Sequence, residues 1–400
     1  MRVLHLAPPA DRPDRLTAHS FIDEEIVALR AAGVRCVTLS PAAPATLAER
    51  AGATAFAMRH AARLPASALR SARETLHAAR IEHAAAQLIR DDAIDLVHSH
   101  FGWPAGFGGA LAAADAGVPL VASLRGMDLL TAPEIGYGLR RDPAYDAAIA
   151  QLVRAADRTL YATEYMRARG IATGAPASRA IVVRKGVDLQ RFRPPADRAV
   201  AQAAIGVSGP MILAVGALSP RKNLRLVLDA LAPLRDRPWT FVIVGEGAER
   251  NRLVAHASAA GIGDRVRFAG PIGRADIGRY FAAADLFVHA AVMEAAGNVI
   301  LEALAAGCPI VCTDAGGPTE YVSDGATGFV VAPGDADAMT QRIRQVLASP
   351  ALRCAMANAA RASAERDFAY ARMIGDLVGI YADLVMSPLR SLHAGVISGR

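Results

Sequence analysis

Aromatic residues are scarce in this chain: phenylalanine, tyrosine and tryptophan together make up 5% of 400 residues, although 53% of them are apolar. The core must therefore be built mostly from alanine, valine and leucine, which suits helices packed on sheets. Cysteine is also sparse. The four cysteines, Cys36, Cys308, Cys312 and Cys354, are scattered. Cys308 and Cys312 would share one face of an expected strand, but nothing near them completes a zinc set. All four read as core thiols, and no metal site is expected. No apolar run reaches the roughly 18–20 residues that span a bilayer. Residues 1–7 read as a strand and lack the long apolar region of a signal peptide. The expected location is the cytoplasm. A nucleophile elbow of the form Gly-x-Ser-x-Gly is missing, so Ser-His-Asp hydrolysis finds no support. The phosphate-binding loop Gly-x-x-x-x-Gly-Lys-Ser/Thr is missing as well.

Charge is mildly unbalanced, at +6. That suits anionic ligands or an acidic membrane surface. It comes with no recognised nucleic-acid motif, so nucleic acid is not expected as a partner. Arginine concentrates at 50–90, where Arg59, Arg63, Arg70, Arg73 and Arg80 interleave with leucine and alanine. Such a stretch is either a solvated helix face or a basic amphipathic face resting on a membrane. The second option would make the protein peripheral at the inner membrane face.

The length implies two or three domains. Short apolar strands recur at 3–6, 34–39, 96–98, 120–123, 159–161 and 181–183, with helical segments between them. The pattern restarts at 211–215 and continues at 241–244, 266–268, 286–288, 310–312 and 329–331. Continuous apolar strands alternating with helices predict parallel sheets covered on both faces. The fold class is therefore α/β, with two doubly wound, Rossmann-like domains facing each other across a cleft. The low-order stretch at 192–197 marks the approach to the boundary. A periodic helix at 369–385 follows once the second domain is complete.

The richest segment runs from Glu294 to Glu320, EAAGNVILEALAAGCPIVCTDAGGPTE. Val299 to Ala306 is good helix material stopped by Gly307. Asn298 is a plausible N-cap, so that first-turn N–H groups would point toward Glu294 and Gly297. A helix start attracts an anion, and Gly297 lets a ligand approach the backbone closely. Glu302 is the one polar side chain between Val299 and Gly307. It either sits on the solvent edge or is buried with hydroxyl donors, which sugar or ribose would supply. Arg221 and Lys222 sit at the start of a helix over 224–231, where cations oppose the helix dipole unless an anion lies between them. A diphosphate would suit. The strand at 241–244 ends in Gly245-Glu246-Gly247, and the one at 266–268 runs on to Pro271. In the first half, His98-Ser99-His100-Phe101-Gly102 and Arg125-Gly126-Met127-Asp128 follow strands at the same predicted edge. His98 reads as a core histidine, and His100 is the one expected to reach the cleft.

Taken in order, VGALSPRKN, VGEG, RVRFAG, ADLFVHA, EAAGNVILEA, GCPIV, GGPTE and GFVVAPGD span nearly all of 211–335. They resemble glycosyltransferase family 4, the retaining GT-B enzymes that use nucleotide sugars. HSFIDEEI, DLVHSHFG, LRGMD and VRKGVDLQRF match more loosely, in the manner of the branch that includes exopolysaccharide glycosyltransferases. The resemblance implies a hexosyltransferase with a nucleotide-sugar co-substrate and no other cofactor. It assigns 1–205 plus about 370–400 to an acceptor-binding domain and 206–369 to a donor-binding domain, with the last helix crossing back to the first. Arg221 and Lys222 would clamp the donor diphosphate, Glu294 would contact the donor sugar, and Glu302 the ribose hydroxyls. Gly297, Asn298 and Val299 would offer backbone N–H groups, and Gly245 and Pro271 would lie near the base. Arg125, Asp128, His100 and Gly102 fall on the acceptor or sugar side.

Three departures stand out. Ala217 occupies a position where the family often has arginine. Arg125 opens a motif that usually begins with histidine. Ala7-Pro8-Pro9-Ala10 replaces the glycine-rich loop after the first strand. The expected activity is transfer of a sugar from a UDP- or GDP-sugar to a hydroxyl of a glycan, a lipid-linked glycan or a natural product. Two rivals remain open: other nucleotide-sugar chemistry such as epimerisation, and a catalytically silent sugar-nucleotide binding protein.

Overall fold

The computed structural model describes residues 1–7, 20–39 and 72–387. The chain forms two compact units, Met1–Arg184 with Ile374–Arg400, and Lys185–Met373.

The first unit holds a parallel sheet of β1 (Arg2–Leu6), β2 (Arg35–Leu39), β3 (Leu96–His100), β4 (Leu120–Ser123), β5 (Arg158–Tyr161) and β6 (Ala180–Val182), in the order β2-β1-β3-β4-β5-β6. β3 and β4 are buried along their whole lengths, as expected of strands covered by helices on both faces. Helix starts carry the residues that cap them: Asp142 accepts from the Ala144 N–H, and Thr163 from the Met166 N–H. Both satisfy donors that a helix leaves unpaired in its first turn. Of the five arginines singled out at 50–90, Arg59, Arg63 and Arg70 and the side chain of Arg73 lie outside the described residues. Arg80 is half-buried. On its helix, Ala72–Asp91, the residues Ala78, Ile81, Ala85 and Ile89 are buried. That apolar stripe faces the unit's own core. No described helix is long and apolar enough to cross a membrane.

The second unit repeats the scheme with β7 (Met211–Val215), β8 (Thr240–Val244), β9 (Val266–Gly270), β10 (Leu286–His289), β11 (Ile310–Thr313) and β12 (Gly328–Val331), ordered β12-β11-β10-β7-β8-β9 and parallel throughout. Ile212, Phe241, Ile243, Leu286, Val288 and Val311 pack with Val227, Leu228 and Leu231 of helix Leu224–Leu231. β7 and β10 are neighbours although they are far apart in sequence. The chain therefore winds outward in opposite directions from that pair, which is a topological switch point.

The boundary falls at Arg184/Lys185, earlier than the 205/206 expected. The helix Arg198–Ala204, whose first turn is capped by Asp197, belongs to the second unit. Gln202 Nε2 donates to the Ala283 carbonyl at 3.1 Å and to Asp285 at 2.8 Å. Arg361 Nη1 also donates to the carbonyls of Leu189 and Phe192. The proline-rich stretch is thus a strap fixed to the second unit. The last helix, Tyr370–Met386, lies close to the expected 369–385. From Ile374 onward it belongs to the first unit, where Tyr381 is fully buried. Cys36, Cys308 and Cys312 are core thiols, but Cys354 is exposed. It lies on helix Pro350–Asp367, which buries Met356 and Ala360 instead.

One glycine holds the second unit's site loops in register. A Cβ on Gly317 would stand 1.9 Å from the Ala295 carbonyl oxygen. Backbone cannot yield by that much without a shift of the loop, so Gly317→Ala should destabilise the unit by about 1–3 kcal/mol. Thermal unfolding checks this, and a melting temperature equal to that of the parent would refute it.

Candidate active site

The carboxyl ends of β7 and β10 carry the polar residues singled out in the second unit. After β7 the chain turns at Gly216 and enters a single 3-10 turn, Pro220–Lys222, before helix Leu224–Leu231. After β10 it continues from His289 through a loop to helix Asn298–Ala305. The two loops are joined by the Val292 N–H, which donates to the Arg221 carbonyl at 3.0 Å. Glu294 is fixed by its own backbone: its N–H donates to the Ala315 carbonyl at 2.9 Å, and its carbonyl accepts from the Gly317 N–H at 3.1 Å.

Glu294, Lys222 and Arg221, expected as the sugar-binding acid and the cation pair of one donor site, form one cluster. Glu294 Oε2 accepts from Lys222 Nζ at 2.5 Å and from Arg221 Nη1 at 2.8 Å, while Oε1 accepts from the Ala295 N–H at 3.2 Å. Side-chain exposure is 12% for Glu294, 13% for Lys222 and 21% for Arg221. Burial pushes the Glu294 carboxyl up, but Lys222 and then Arg221 outweigh it and hold the group well below the usual carboxylate range. Lys222 moves down as well, because burial and the neighbouring Arg221 outweigh its attraction to Glu294. Two cations share one anion, so the anion is doubly stabilised while each cation has a like charge beside it. The net charge is one positive, held close to the surface. Ala217 is exposed and offers no charge; the second cation beside Lys222 is Arg221.

Glu302 is 5% exposed, so it does not sit on a solvent edge. Its Oε1 accepts from Arg274 Nη1 at 2.9 Å. Gly297, with φ +77°, occupies the N-cap position, and Asn298 is the first helical residue, whose side chain makes no capping bond. The expected cap thus moves by one residue, because the loop must turn through a left-handed conformation that favours glycine. The other end is as expected: the Gly307 and Cys308 N–H groups close on the carbonyls of Leu304 and Ala303, the Schellman pattern. Val299 is half-buried and follows Asn298 in the first turn. Gly245 ends β8 with φ +133°, and its N–H donates to the Gly270 carbonyl at 2.8 Å. Pro271 is exposed just past β9.

The first unit carries its own buried polar group at the carboxyl ends of β1, β3 and β4. Asp128 Oδ1 accepts from the Gly102 N–H at 2.8 Å and Oδ2 from the Arg125 N–H at 3.0 Å. Arg125 Nη2 donates to both oxygens of Glu25, at 3.2 and 3.0 Å, and to His100 Nδ1 at 2.5 Å. His100 is fully buried, which corrects the expectation that it reaches an open face. Glu25 and Arg125 cover it. The pairing also sets its tautomer. A guanidinium only donates, so Nδ1 of His100 accepts and Nε2 carries the proton. That proton faces His5 Nδ1 at 3.1 Å. His98 reaches Tyr381 at 2.6 Å and Ser123 at 2.8 Å. His5, His98 and His100 lie within metal-binding distance of one another. His100 Nε2–H and His5 Nδ1 thus form one pair, while His98 bonds separately to Tyr381 and Ser123. Burial lowers His5 to about 4, which keeps the ring neutral.

Two residues of the second unit escaped the sequence reading. Arg274 lies in a loop with no local pattern, and only the fold brings it to Glu302. His289 did carry a signal, since it ends the switch-point strand β10. It is 3% exposed, and its Nε2 stands 3.7 Å from Glu294 Oε2.

Residues 197–363 match the family described as glycosyl transferases group 1, and residues 18–191 match glycosyltransferase family 4. The D-inositol 3-phosphate glycosyltransferase of Streptomyces bingchenggensis is 30% identical over 316 residues, which are 75% of this chain and 69% of that protein. The chain belongs to the group 1 glycosyltransferases. Another D-inositol 3-phosphate glycosyltransferase, from Streptomyces avermitilis, is 36% identical over 290 residues, 68% of this chain but only 61% of that relative. The chain thus spans less than two thirds of that relative's length. Among solved structures, HepE of Anabaena in complex with UDP is 24% identical with a TM-score of 0.74, covering 96% of this chain and all of that one. Sucrose-phosphate synthase of Thermosynechococcus elongatus is 20% identical with a TM-score of 0.79, covering 96% of this chain and 98% of that one. At these identities the likeness concerns the fold, and it agrees with the GT-B class expected from the sequence.

Proposed function

We propose that this glycosyltransferase moves a sugar from a UDP- or GDP-sugar to an acceptor hydroxyl with retention of anomeric configuration. One observation carries the reading: Lys222 and Arg221 meet Glu294 beside a helix start at the switch point of the second sheet. That is where open α/β sheets bind nucleotides. The two cations would neutralise the diphosphate as it leaves, and Glu294 would hold the donor sugar. Glu302, placed by Arg274, would accept from the ribose hydroxyls. Asn298 and Val299 would present first-turn N–H groups, while Gly245 and Pro271 would border the base. The acceptor attacks from the face the diphosphate leaves, which requires no protein nucleophile. Acceptor recognition falls to the first unit in this reading, through Arg125 and Gly102, with the buried Asp128 and His100 holding them in place.

The Anabaena HepE structures contain UDP and UDP-glucose, so this fold accommodates such a donor. The names of the Streptomyces relatives make inositol 3-phosphate an acceptor to test beside glycans, lipid-linked glycans and natural products. An exopolysaccharide product and a cytoplasmic seat complete the proposal.

A thermal-shift screen with UDP, GDP and ADP tests the donor side. The matching nucleotide at 100 times its dissociation constant should add about 2.7 kcal/mol of stability. Release of nucleoside diphosphate from the sugar donor, with and without acceptors, tests the chemistry. No shift with any nucleotide would sink the reading. A shift without turnover on any donor would favour the silent binding protein.

A further inference from the structure

His289 holds a position that sugar transfer as described above leaves unused. Its ring is stacked on Phe287, with centroids 6.3 Å apart and an interplanar angle of 21°. It is 3% exposed, and its Nε2 is buried without a hydrogen-bond partner. Buried polar atoms are nearly always satisfied, so an orphan beside a functional cluster asks for a state in which it is used. Glu294 Oε2 stands 3.7 Å from it, too far for a hydrogen bond but within reach of a small side-chain rotation. A lone pair facing a carboxylate would be repelled, so the ring proton belongs on Nε2. Burial, and then the neighbouring Lys222 and Arg221, keep the ring neutral, pushing it down to about 3. A neutral N–H donor therefore points at an oxygen already claimed by two cations.

Lys222 and Arg221 retain some exposure, at 13% and 21%, whereas the His289 side chain is at 3%. An anion arriving from solvent meets the cations and not the imidazole. A diphosphate offers several anionic oxygens against the single Oε2 they now share, and both cation types favour phosphate. As they turn toward it, Oε2 loses its charged donors while remaining buried.

We propose that His289 is the reserve donor of Glu294: when a diphosphate draws Lys222 and Arg221 outward, His289 Nε2–H closes on Oε2 and holds the carboxylate in place for the donor sugar. His289 is thereby a positioning residue that acts through Glu294. The inference rests on the diphosphate reading of the site.

Calorimetric titration of UDP and of GDP into the parent protein, His289→Phe and His289→Gln tests it, with melting temperatures measured without nucleotide. The unliganded Phe variant should melt at or above the parent, because the imidazole makes no hydrogen bond in that state. Its nucleotide affinity should fall about tenfold, the worth of a hydrogen bond to a charged group. The Gln variant keeps an N–H donor and should recover to within roughly threefold of the parent. In 15N-histidine spectra of the parent, UDP or GDP should shift the His289 Nε2–H resonance as the bond forms. Equal affinity of parent and Phe variant would overturn the proposal and leave the diphosphate reading intact. If neither nucleotide binds the parent, both fall. Should the Phe variant fold poorly, an unmoved Nε2–H resonance in the liganded parent overturns the proposal by itself.

Discussion

Lys222→Ala should reduce sugar transfer by roughly 10²–10³-fold in kcat, the usual cost of losing one preorganised donor to a developing negative charge. Lys222 sits in a nearly buried site beside Glu294, so in the proposed reaction it engages the diphosphate on binding and is in place before that group leaves. Its charge acts at low effective dielectric, where it is worth far more than in water. Nucleotide affinity should change much less than kcat, because Arg221 still pairs with Glu294 at 2.8 Å and remains available to the ground-state diphosphate. Folding should survive for the same reason. The pH profile supplies a second check. Burial lowers the Lys222 ammonium below the range of an exposed lysine, so activity should be lost as pH rises through that lowered value. Lys222→Arg, with a group charged at all accessible pH, should retain part of the rate and lose that alkaline limb. Steady-state kinetics across pH decide it, and a Lys222→Ala enzyme within about threefold of the parent would remove Lys222 from the chemistry.

The twelve described strands were legible because most are short apolar runs ending in a turn, the signature of a sheet buried on both faces. Their order was not, since it depends on which strands meet across the switch point. That order is what brings Glu294, Lys222 and Arg221 into one cluster. Residues placed by long-range pairing stayed hidden: Arg274 reaches Glu302 only through the fold, and His100 lies buried against His5, His98, Glu25 and Arg125. The boundary was misjudged where local composition disagreed with packing. The proline-rich strap looks like a linker, yet Gln202 and Arg361 tie it to the second unit. Asn298 has the right chemistry for a cap but loses the place to Gly297, whose positive φ the loop requires.

Glu294→Ala should be the most damaging single change, for it removes the anion that allows two cations to be buried together. Breaking a buried ion pair by deleting one partner costs about 3–5 kcal/mol, because the remaining charge is left without compensation. Here two like charges remain. For a unit of this size the loss corresponds to a fall of about 6–20 °C in melting temperature, with transfer activity lost as the cations and the donor sugar lose their common anchor. The pH dependence should move from the acid to the alkaline range. In the parent, Glu294 titrates well below its unfolded value. Its contribution is therefore complete above about pH 4.3 and declines as pH falls through the folded value. In the variant that acid limb is absent. Lys222 loses the attraction that opposed its downward shift, so the folded state binds fewer protons than the unfolded chain below the ordinary lysine value. The variant should therefore gain more stability than the parent, whose Lys222 is already lowered, as pH rises from about 7 toward 10. Glu294→Gln, which keeps the shape but not the charge, should show the same alkaline gain. Melting temperatures of parent and both variants from pH 3 to 10 test the cluster without reference to any substrate. Parallel curves for all three would mean that Glu294 does not hold the cations together.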